Sequence, residues 1–259
     1  MRKPILNIVT LGCSKNKVDS EHLAALLEKQ FLIRHDSDRK SDVVMINTCG
    51  FIGDAQEESI DTILEYAELR KQNKISKLYV MGCLSQRFRK ELQEEIHEVD
   101  AWYGVESVDK VAADILKEDV PCGFVTQRVL STPKHYAYLK ISEGCNRRCA
   151  FCAIPLIRGS HVSVPMDKLL EEAQMLAKKG VKELILIAQD LTYYGIDLDG
   201  KSHIVELVKE LCKIDGFEWI RLHYGYPLGF PNELLDLMRE NPKLCHYIDL
   251  PLQHITTSI

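Results

Sequence analysis

The hydrophobic positions of the first 120 residues repeat one arrangement three times: a short apolar run, a cysteine at its end, and a segment with helical spacing. The three apolar runs are LNIVTLGC, DVVMINTC and KLYVMGC. The spacing of apolar residues after them predicts helices over residues 19–30, 55–71 and 86–98. Short apolar runs that alternate with helices are typical of βαβ units. The pattern therefore predicts an α/β domain with a parallel sheet over residues 1–120.

The pattern changes at residue 121. The stretch PCGFVTQRVLSTPKH, residues 121–135, contains two prolines and little periodicity, which predicts a linker. Beyond it, strands and helices alternate again. Strands are predicted over residues 136–141, 183–188, 217–222 and 246–250, and helices over residues 167–179, 204–212 and 232–239. Residues 136–259 are therefore predicted to form a second parallel α/β array, which has too few strands for a complete eight-stranded barrel.

Composition narrows the class of protein only slightly. Of the 259 residues, 46% are hydrophobic and 27% are charged, as in ordinary soluble globular proteins. The net charge of −5 gives no general attraction to nucleic acid, and no apolar run approaches the roughly 18 residues of a membrane-spanning helix. Nine cysteines without an export signal favour a reducing compartment, the cytoplasm, where cysteines serve as metal ligands or core residues more often than as disulfides.

Three cysteines, here called the distributed triad, stand at the ends of the first three apolar runs: Cys13, Cys49 and Cys83. The carboxyl ends of parallel strands meet at one edge of a sheet, where α/β folds bind ligands, so these thiols are expected to converge. The N-termini of the following helices favour thiolates there. Gly12, Gly50 and Gly82 flank the triad and are expected to allow a close approach of the backbone. The alternative is that all three are buried core cysteines.

A second group of cysteines, here called the compact triad, lies within GCNRRCAFC: Cys145, Cys149 and Cys152. A closed structural zinc site has four ligands, and His161 is the nearest residue in the sequence that would complete one. The alternative is an iron–sulfur cubane with one iron left open for a small ligand. Arg147 and Arg148 would then offset the negative charge of the thiolates and the cluster.

GCNRRCAFC resembles the motif of the radical S-adenosylmethionine (radical SAM) enzymes. The resemblance implies a 4Fe-4S cluster on the compact triad, with the amino and carboxylate groups of S-adenosyl-L-methionine on the open iron. It also implies one-electron cleavage of that cofactor to a 5′-deoxyadenosyl radical. By the same resemblance, Phe151 lies beside the adenine. Gln189 and Asp190 follow a predicted strand, and position and resemblance together suggest that they contact the cofactor's amino group or ribose.

Three stretches of the first domain, LGCSKNKVDSE, NTCGFI and MGCLSQR, resemble the amino-terminal domain of the methylthiotransferases. That resemblance implies a second, auxiliary 4Fe-4S cluster on the distributed triad. KISEGCNRRCAFCAIPLIRG, IAQDLTYYG and DLPLQHI are most similar to the RimO type of this family. Members of that type attach a methylthio group to the β-carbon of an aspartate in ribosomal protein S-twelve, of the small subunit. The resemblance therefore implies a transferase with that ribosomal protein as its partner.

Two other functions stay open: a transfer-RNA methylthiotransferase on the same scaffold, and a non-catalytic iron–sulfur fragment that only binds a partner. The acidic balance and the motif details favour the enzyme that acts on the ribosomal protein. Members of the family continue beyond LPLQH with further barrel elements and a carboxyl-terminal TRAM domain. The resemblance therefore also implies a chain that is truncated within the barrel and has no TRAM domain.

Other polar or sulfur-containing residues have weaker indications of function. His223 and Tyr224 follow a predicted strand and are expected at the active-site end of the second α/β array, either in contact with substrate or as packing residues. Gln253 and His254 occupy a similar position. The remaining cysteines are interpreted as packing residues: Cys122, Cys212 and Cys245.

Overall fold

The computed structural model describes residues 2–121, 123–252 and 256. The chain divides into two compact units, the first formed by Met1–Ser131 with Ala150–Arg158 and the second by Thr132–Cys149 with Gly159–Ile259. Three residues with predicted roles lie outside the described residues, so their roles stay predictions: Cys122, Gln253 and His254. No helix in the described ranges has the length and apolar character that crossing a membrane requires.

The first unit is built on the alternation of strands and helices that the sequence predicts. In chain order its elements are β1 Ile5–Thr10, α1 Ser14–Leu27, β2 Leu32–His35, β3 Val43–Thr48, α2 Gly53–Lys71, β4 Lys77–Gly82, α3 Cys83–Glu95, β5 Ala101–Trp102, α4 Val108–Leu116 and, from a later part of the chain, α5 Ile154–Arg158. The five strands are parallel and stand in the order β2-β1-β3-β4-β5. The predicted fold class is confirmed.

The central strand β3 shows what holds this sheet between its helices. All six of its residues are buried, as expected of a parallel strand that is covered on both faces. Val44 and Ile46 pack into one hydrophobic cluster together with Ile63 of α2. Val43 and Met45 pack into a second cluster on the opposite face, because successive side chains of a strand point to opposite sides. Each buried aliphatic side chain of this kind contributes about 1.5–3 kcal/mol.

Some element boundaries in the first unit differ from the prediction. Helix α1 begins at Ser14, five residues before the predicted start, directly after the extended backbone of Cys13. Its first turn is polar in sequence, so the apolar periodicity becomes visible only further along the helix. The strands β2 and β5 were not predicted, because they are only four and two residues long. The helix α4 was missed although Val108, Val111 and Ile115 recur at helical spacing.

The segment predicted as a linker has neither helix nor strand at residue 121 or over residues 123–135, yet part of it is anchored in the first unit. Arg128 is buried, and its guanidinium donates to the carboxylate of Glu21 on α1, at 3.0 Å from Nε. Ser131 donates to the other carboxylate oxygen through its N–H, at 2.8 Å, and through its hydroxyl, at 2.6 Å. A buried charge requires such partners, because desolvation of an unpaired ion is very costly. The composition of the segment gave no indication of this anchoring.

The second unit continues the alternation of strands and helices. In chain order its elements are β6 Tyr136–Lys140, β7 Ser142–Glu143, β8 Val162–Ser163, α6 Met166–Lys178, β9 Glu183–Ile187, the 3₁₀ turn Leu191–Tyr193, α7 Ile196–Asp199, α8 Ile204–Cys212, β10 Trp219–Leu222 and α9 Glu233–Glu240. Strands β6, β9 and β10 form a parallel sheet in the order β10-β9-β6, and β7 pairs with β8 in antiparallel fashion. The predicted parallel α/β array is confirmed.

The predicted strand over residues 246–250 is wrong. Leu244 makes one isolated parallel bridge with Ile220 of β10, and no ladder follows it in the described part of this segment. The chain bends there, because the N–H of Tyr247 donates to the carbonyl of Cys245 two residues earlier, at 2.8 Å. Apolar composition alone does not reveal such a turn. Cys245 therefore does not begin a strand.

Candidate functional site

The distributed triad lies at one edge of the first-unit sheet. Cys13 immediately precedes α1, Cys49 follows β3, and Cys83 is the first residue of α3. The strands before these residues, β1, β3 and β4, are neighbours in the sheet and all run in the same direction. The structure therefore brings the three cysteines to adjacent strand ends, and their role as cluster ligands stays a prediction.

Two glycines allow the loops that carry these cysteines to approach each other. Gly12 has φ +82°, and a Cβ added there would lie 2.5 Å from Cβ and 2.7 Å from Sγ of Cys49. A Cβ added at Gly50 would lie 2.7 Å from the backbone nitrogen of Leu84, at the start of α3. Atoms in a packed interior do not tolerate such distances. Any side chain at either glycine would therefore force the cysteine loops apart.

A buried arginine borders the distributed triad. Arg158 ends α5, its side chain is 3% exposed, and its Nε donates to Sγ of Cys83 at 3.3 Å. Its Nη1 donates to the carboxylate of Asp19 at 3.1 Å, and its Nη2 donates to the side-chain oxygen of Asn16. Sequence reasoning missed this contact, because Arg158 and Cys83 are 75 residues apart in the chain. The available signal was the position of Arg158 within the RimO-like stretch KISEGCNRRCAFCAIPLIRG.

Asn16 connects this arginine to the other two cysteine loops. The Nδ2 of Asn16 donates to the carbonyl of Leu11 at 2.9 Å and to the carbonyl of Thr48 at 3.0 Å. Each of these carbonyls lies within two residues of a cysteine of the distributed triad. Asn16 is fully buried, so water does not compete for its hydrogen bonds. Asn16 and Arg158 together therefore link all three loops of the triad.

The sulfur of Cys83 is electrostatically coupled to its surroundings. Burial raises the pKa of the Cys83 thiol, and the guanidinium of Arg158 opposes that rise. The thiols of Cys13 and Cys49 raise the pKa further, so the three sulfurs are close enough to influence one another's charge. Metal ions bind the thiolate form and remove this mutual repulsion.

Two polar atoms beside the distributed triad have no partner. The hydroxyls of Ser14 and Ser85 are buried and make no hydrogen bond with any described residue. Ser14 directly follows Cys13, and Ser85 lies two residues after Cys83. Buried hydroxyl donors without an acceptor are uncommon and point to a group that is missing from the protein chain itself. The sulfurs of an iron–sulfur cluster are acceptors, so the residues present at this site fit such a group.

The compact triad occupies one short stretch of chain between β7 and α5. Gly144 turns the chain with φ +73°, and the N–H of Cys145 donates to the carbonyl of Gly159 at 3.1 Å. Cys152 stands two residues before α5. Unlike Cys83, all three cysteines of the compact triad are partly exposed. Partly exposed thiols are accessible both to iron and to a small ligand that completes the site.

Arg147, between the first two cysteines of the compact triad, is held by several partners in the second unit. Its Nε donates to the carboxylate of Asp190 at 2.9 Å. Its guanidinium carbon lies 4.4 Å from the ring centre of Tyr193 and 4.2 Å from the ring centre of Tyr226. Each such cation–π contact contributes about 0.5–1 kcal/mol at a partly exposed site. The arginine that sequence reasoning assigned to charge compensation therefore also anchors the loop.

Two of the three residues predicted to contact the cofactor, Gln189 and Asp190, differ in how they are engaged. Asp190 is 3% exposed, and its Oδ1 accepts from the N–H of Thr192 at 2.9 Å and from its hydroxyl at 2.5 Å. Gln189 donates through Nε2 to Glu143 at 2.9 Å, whereas its Oε1 is buried and accepts from no described residue. An orphaned amide oxygen of this kind fits an amine donor, such as the amino group of S-adenosylmethionine. Both cofactor contacts stay predictions.

The other predicted residues of the compact site have separate surroundings. Phe151 is fully exposed, so both faces of its ring are open, and its contact with adenine stays a prediction. His161 is buried: its Nε2 lies 3.1 Å from the hydroxyl of Ser163, its ring packs edge-on against Tyr193, and burial lowers its pKa. Within the described ranges, no three His, Cys, Asp or Glu side chains converge tightly enough to hold a single metal ion. The geometry therefore gives no support to a zinc site completed by His161.

His223 and Tyr224, which follow β10, pack among aromatic rings. The ring of His223 packs edge-on against Tyr224 at 5.8 Å and lies 5.7 Å from the ring of Tyr247. Tyr224 has φ +69°, an uncommon conformation for a bulky residue, and its carbonyl accepts from the N–H of Leu191 at 3.1 Å.

Elsewhere in this unit, Cys212 is buried on α8, and burial raises its pKa to about 11. A protonated, buried thiol of that kind is a packing residue.

Comparison with known sequences identifies two regions in the chain. The profile of "Uncharacterized protein family UPF0004" matches residues 6–104, and that of the "Radical SAM superfamily" matches residues 139–259. The chain is 51% identical over 262 residues to "Ribosomal protein uS12 methylthiotransferase RimO" of Flavobacterium johnsoniae, which covers 100% of this chain and 60% of the relative. It is 52% identical over 258 residues to the protein of the same name from Porphyromonas gingivalis, with 99% and 59% covered. The chain therefore spans about 60% of the length of the curated relatives it matches.

Solved structures share the fold at low sequence identity. The radical S-adenosylmethionine methyltransferase TsrM from Kitasatospora setae matches with a TM-score of 0.63 and 15% identity, over 99% of this chain and 60% of that one. The cobalamin-dependent S-adenosylmethionine radical enzyme OxsB matches with a TM-score of 0.54 and 13% identity, over 86% of this chain and 39% of that one. At these identities the likeness concerns the fold alone.

The order of two parallel α/β regions, one with each cysteine triad, defines a radical SAM protein with an additional amino-terminal domain. Half of all positions over the whole chain are shared with RimO proteins of several bacteria. The chain belongs to the RimO type of the radical SAM methylthiotransferase family.

Proposed function

We propose that this chain is the cluster- and cofactor-binding part of a transferase that adds a methylthio group to the β-carbon of an aspartate in ribosomal protein uS12. The observation that carries the proposal is the identity of about 50% to the RimO proteins, which extends over the whole chain and includes both triads. The name of those relatives specifies the group transferred and the ribosomal protein that receives it. Since the proposed partner is a ribosomal protein, we expect the activity in the cytoplasm.

Two 4Fe-4S clusters and S-adenosyl-L-methionine are the cofactors in this proposal. The compact triad would hold the cluster that binds S-adenosylmethionine, and the distributed triad would hold the auxiliary cluster. When bound, the first cluster and the cofactor supply a one-electron cleavage that creates a carbon radical, and the auxiliary cluster supplies a place for sulfur. The unpaired hydroxyls of Ser14 and Ser85 support the auxiliary position.

The chain's own residues bind and orient these groups. Gln189 is held by the bond from its Nε2 to Glu143, and its orphaned Oε1 would accept from the amino group of the cofactor. Asp190 holds Arg147, and Arg147 in turn fixes the loop of the compact triad. The exposed ring of Phe151 offers an apolar face to the adenine. These roles orient the cofactor before the reaction, and such preorganisation lowers the entropic part of the barrier.

The first test counts the clusters. After anaerobic reconstitution, iron and sulfide are measured in the parent chain and in two triple variants, one for each triad, with every cysteine replaced by Ala. Each triple variant is expected to keep about half of the parent's iron. Only loss of the compact triad is expected to abolish reductive cleavage of S-adenosylmethionine. Full iron content in the variant of the distributed triad, or about one zinc per chain in the parent, would contradict the proposal.

The second test concerns the substrate. In a chimera, this chain replaces the matching part of the Flavobacterium johnsoniae relative, and the product is incubated anaerobically with dithionite, S-adenosylmethionine and either uS12 or transfer RNA. Mass spectrometry is expected to find a methylthio group on an aspartate of uS12 and none on the transfer RNA. Modification of the transfer RNA alone would favour the alternative enzyme. Clusters without any transfer would favour a fragment that only binds a partner.

A further inference from the structure

Arg158 occupies an unusual position for a charged side chain. Its side chain is 3% exposed, and its guanidinium donates to a thiol, a carboxylate and an amide oxygen. A buried guanidinium needs charged or hydrogen-bonding partners to offset its desolvation, and the carboxylate of Asp19 supplies the opposite charge. The contact at 3.3 Å between Nε and Sγ of Cys83 directs one N–H donor of this cation at a predicted ligand sulfur of the distributed triad.

The same guanidinium also fixes the geometry of the distributed triad. Through Asn16 it is connected to the carbonyls of Leu11 and Thr48, in the other two cysteine loops. The planar fork of an arginine presents donors in fixed directions, which a lysine does not reproduce. Arg158 therefore sets the position of the Cys83 sulfur relative to the rest of the triad.

We infer that Arg158 is a positioning residue of the auxiliary cluster, which donates a hydrogen bond to the Cys83 ligand sulfur and raises the reduction potential of the cluster bound there. The inference rests on the proposed function, because it requires a cluster on the distributed triad. Reduction adds one negative charge to the cluster. A buried cation and a hydrogen bond to a ligand sulfur both stabilise that extra charge, so the reduced state becomes easier to reach.

Asp19 has the opposite effect on the reduction potential of the cluster, because it acts on the charge of Arg158. Its carboxylate accepts from Nη1 of Arg158 at 3.1 Å and is 15% exposed, so it cancels part of the arginine's charge. Removing the negative charge of Asp19 leaves the full positive charge of Arg158 beside the sulfur. Substitutions at Arg158 and Asp19 are therefore expected to shift the potential of the cluster in opposite directions, which a purely structural role does not predict.

The test is a redox titration with dithionite, followed by electron paramagnetic resonance, on the full chain with the compact triad replaced by Ala. Only the auxiliary cluster is then present; it takes up one electron from dithionite, and no bond forms or breaks. Arg158→Gln is expected to shift the midpoint potential to more negative values at unchanged iron content, and Asp19→Asn to more positive values. Arg158→Lys, which keeps the charge and loses the fork, is expected to fall between the parent and Arg158→Gln.

Arg89→Gln is the matched control, because Arg89 lies on α3, as Cys83 does, but pairs with Glu106 at the surface. It is expected to leave the potential unchanged. Equal midpoint potentials in the parent, Arg158→Gln and Asp19→Asn would overturn the inference. If Arg158→Gln does not retain its cluster, Asp19→Asn decides alone. A midpoint potential of Asp19→Asn that is unchanged or more negative than that of the parent would then overturn the inference. A parent without a cluster on the distributed triad would contradict the proposed function and the inference together.

Discussion

The distributed triad spans 71 positions of sequence, from Cys13 to Cys83, whereas the compact triad fits within eight consecutive positions. The first depends on the tertiary fold, because three parallel strands must pair before its cysteines become neighbours. The spacing in the second is set by the length of one loop, which is then anchored by Arg147. A site assembled from distant segments is sensitive to changes anywhere in the supporting sheet. A site on one loop responds mainly to changes in that loop.

The largest expected effect comes from breaking the buried ion pair of the first unit. Arg128→Met leaves the carboxylate of Glu21 without its charged partner, and loss of one member of a buried pair typically costs about 3–5 kcal/mol. Urea unfolding is expected to show this loss, together with reduced iron on the distributed triad. Arg39→Met, at an exposed position, is the control. The double variant Glu21→Met, Arg128→Met is expected to be more stable than Arg128→Met, and a double variant that is less stable would contradict this account.

A glycine comparison separates steric crowding from backbone conformation. Gly12 and Gly200 both have φ +82°, but only Gly12 has atoms within 4 Å of an added Cβ. Gly200→Ala is expected to cost about 1–2 kcal/mol from its conformation alone, and Gly12→Ala about 2–4 kcal/mol, because Cys49 must also move. Thermal unfolding and iron content measure the two effects. Similar losses of stability in both variants, with full iron on the distributed triad, would show that the close approach to Cys49 is unimportant.

A pH dependence is expected from the edge of the first-unit sheet. Burial alone would raise the pKa of Asp100, but bonds from Arg70, Lys77 and the N–H of Leu78 outweigh it and lower the pKa from 3.8 to about 2. Because the folded pKa is depressed, the stabilisation is complete above pH 3.8 and disappears as the pH falls towards 2. It amounts to at most about 2 kcal/mol, since solvent screens the partly exposed partners.

The measurement is the free energy of unfolding between pH 6 and pH 2, compared between the parent and Asp100→Asn. The difference between the two proteins is expected to shrink as the pH falls through this window. Asp61→Asn, on the exposed side of α2, is the control and is expected to show no such trend. A difference that stays constant with pH would assign the effect of Asp100→Asn to packing instead of charge.

The smallest expected effect concerns the compact triad. Arg147→Lys keeps the ion pair with Asp190 but loses the planar contact with Tyr193 and Tyr226, a cost of about 1 kcal/mol. The loop is then less firmly anchored, so alkylation of Cys145 and Cys149 in the chain without iron is expected to become faster. Arg148→Lys, at the exposed neighbouring position, is the control. Unchanged alkylation rates in Arg147→Lys would show that the loop does not need this anchor.

The sequence was informative where structure follows from local pattern and connectivity. The three repeats of an apolar run, a cysteine and a helix were sufficient to predict a parallel sheet and the convergence of Cys13, Cys49 and Cys83. Short elements were missed, because β5 has only two residues and β2 lies at the edge of the sheet. The predicted strand over residues 246–250 failed because a single hydrogen bond between Tyr247 and Cys245 bends an otherwise apolar stretch.

The contacts that fix the site depend on residues far apart in the chain, and no periodicity reveals them. Arg158 reaches Cys83 across 75 residues, and Arg128 reaches Glu21 across 107. Both arginines lie in segments that sequence reasoning treated as a motif or a linker. The charge of such residues is visible in the sequence, but burial and partner are decided only by how the chain folds back on itself.

The contact between Arg158 and Cys83 bears on the order of events during synthesis of the chain. A ribosome that has released the first 131 residues has supplied every strand of the first-unit sheet and all three cysteines of the distributed triad. It has not yet supplied α5 or the guanidinium that borders Cys83. Contacts of such long sequence separation form late, because closing a long loop costs entropy before the contact is made. The nascent sheet therefore presents its thiols before their buried cation arrives, and the proposed cluster would meet a fully formed site only after residue 158 has emerged.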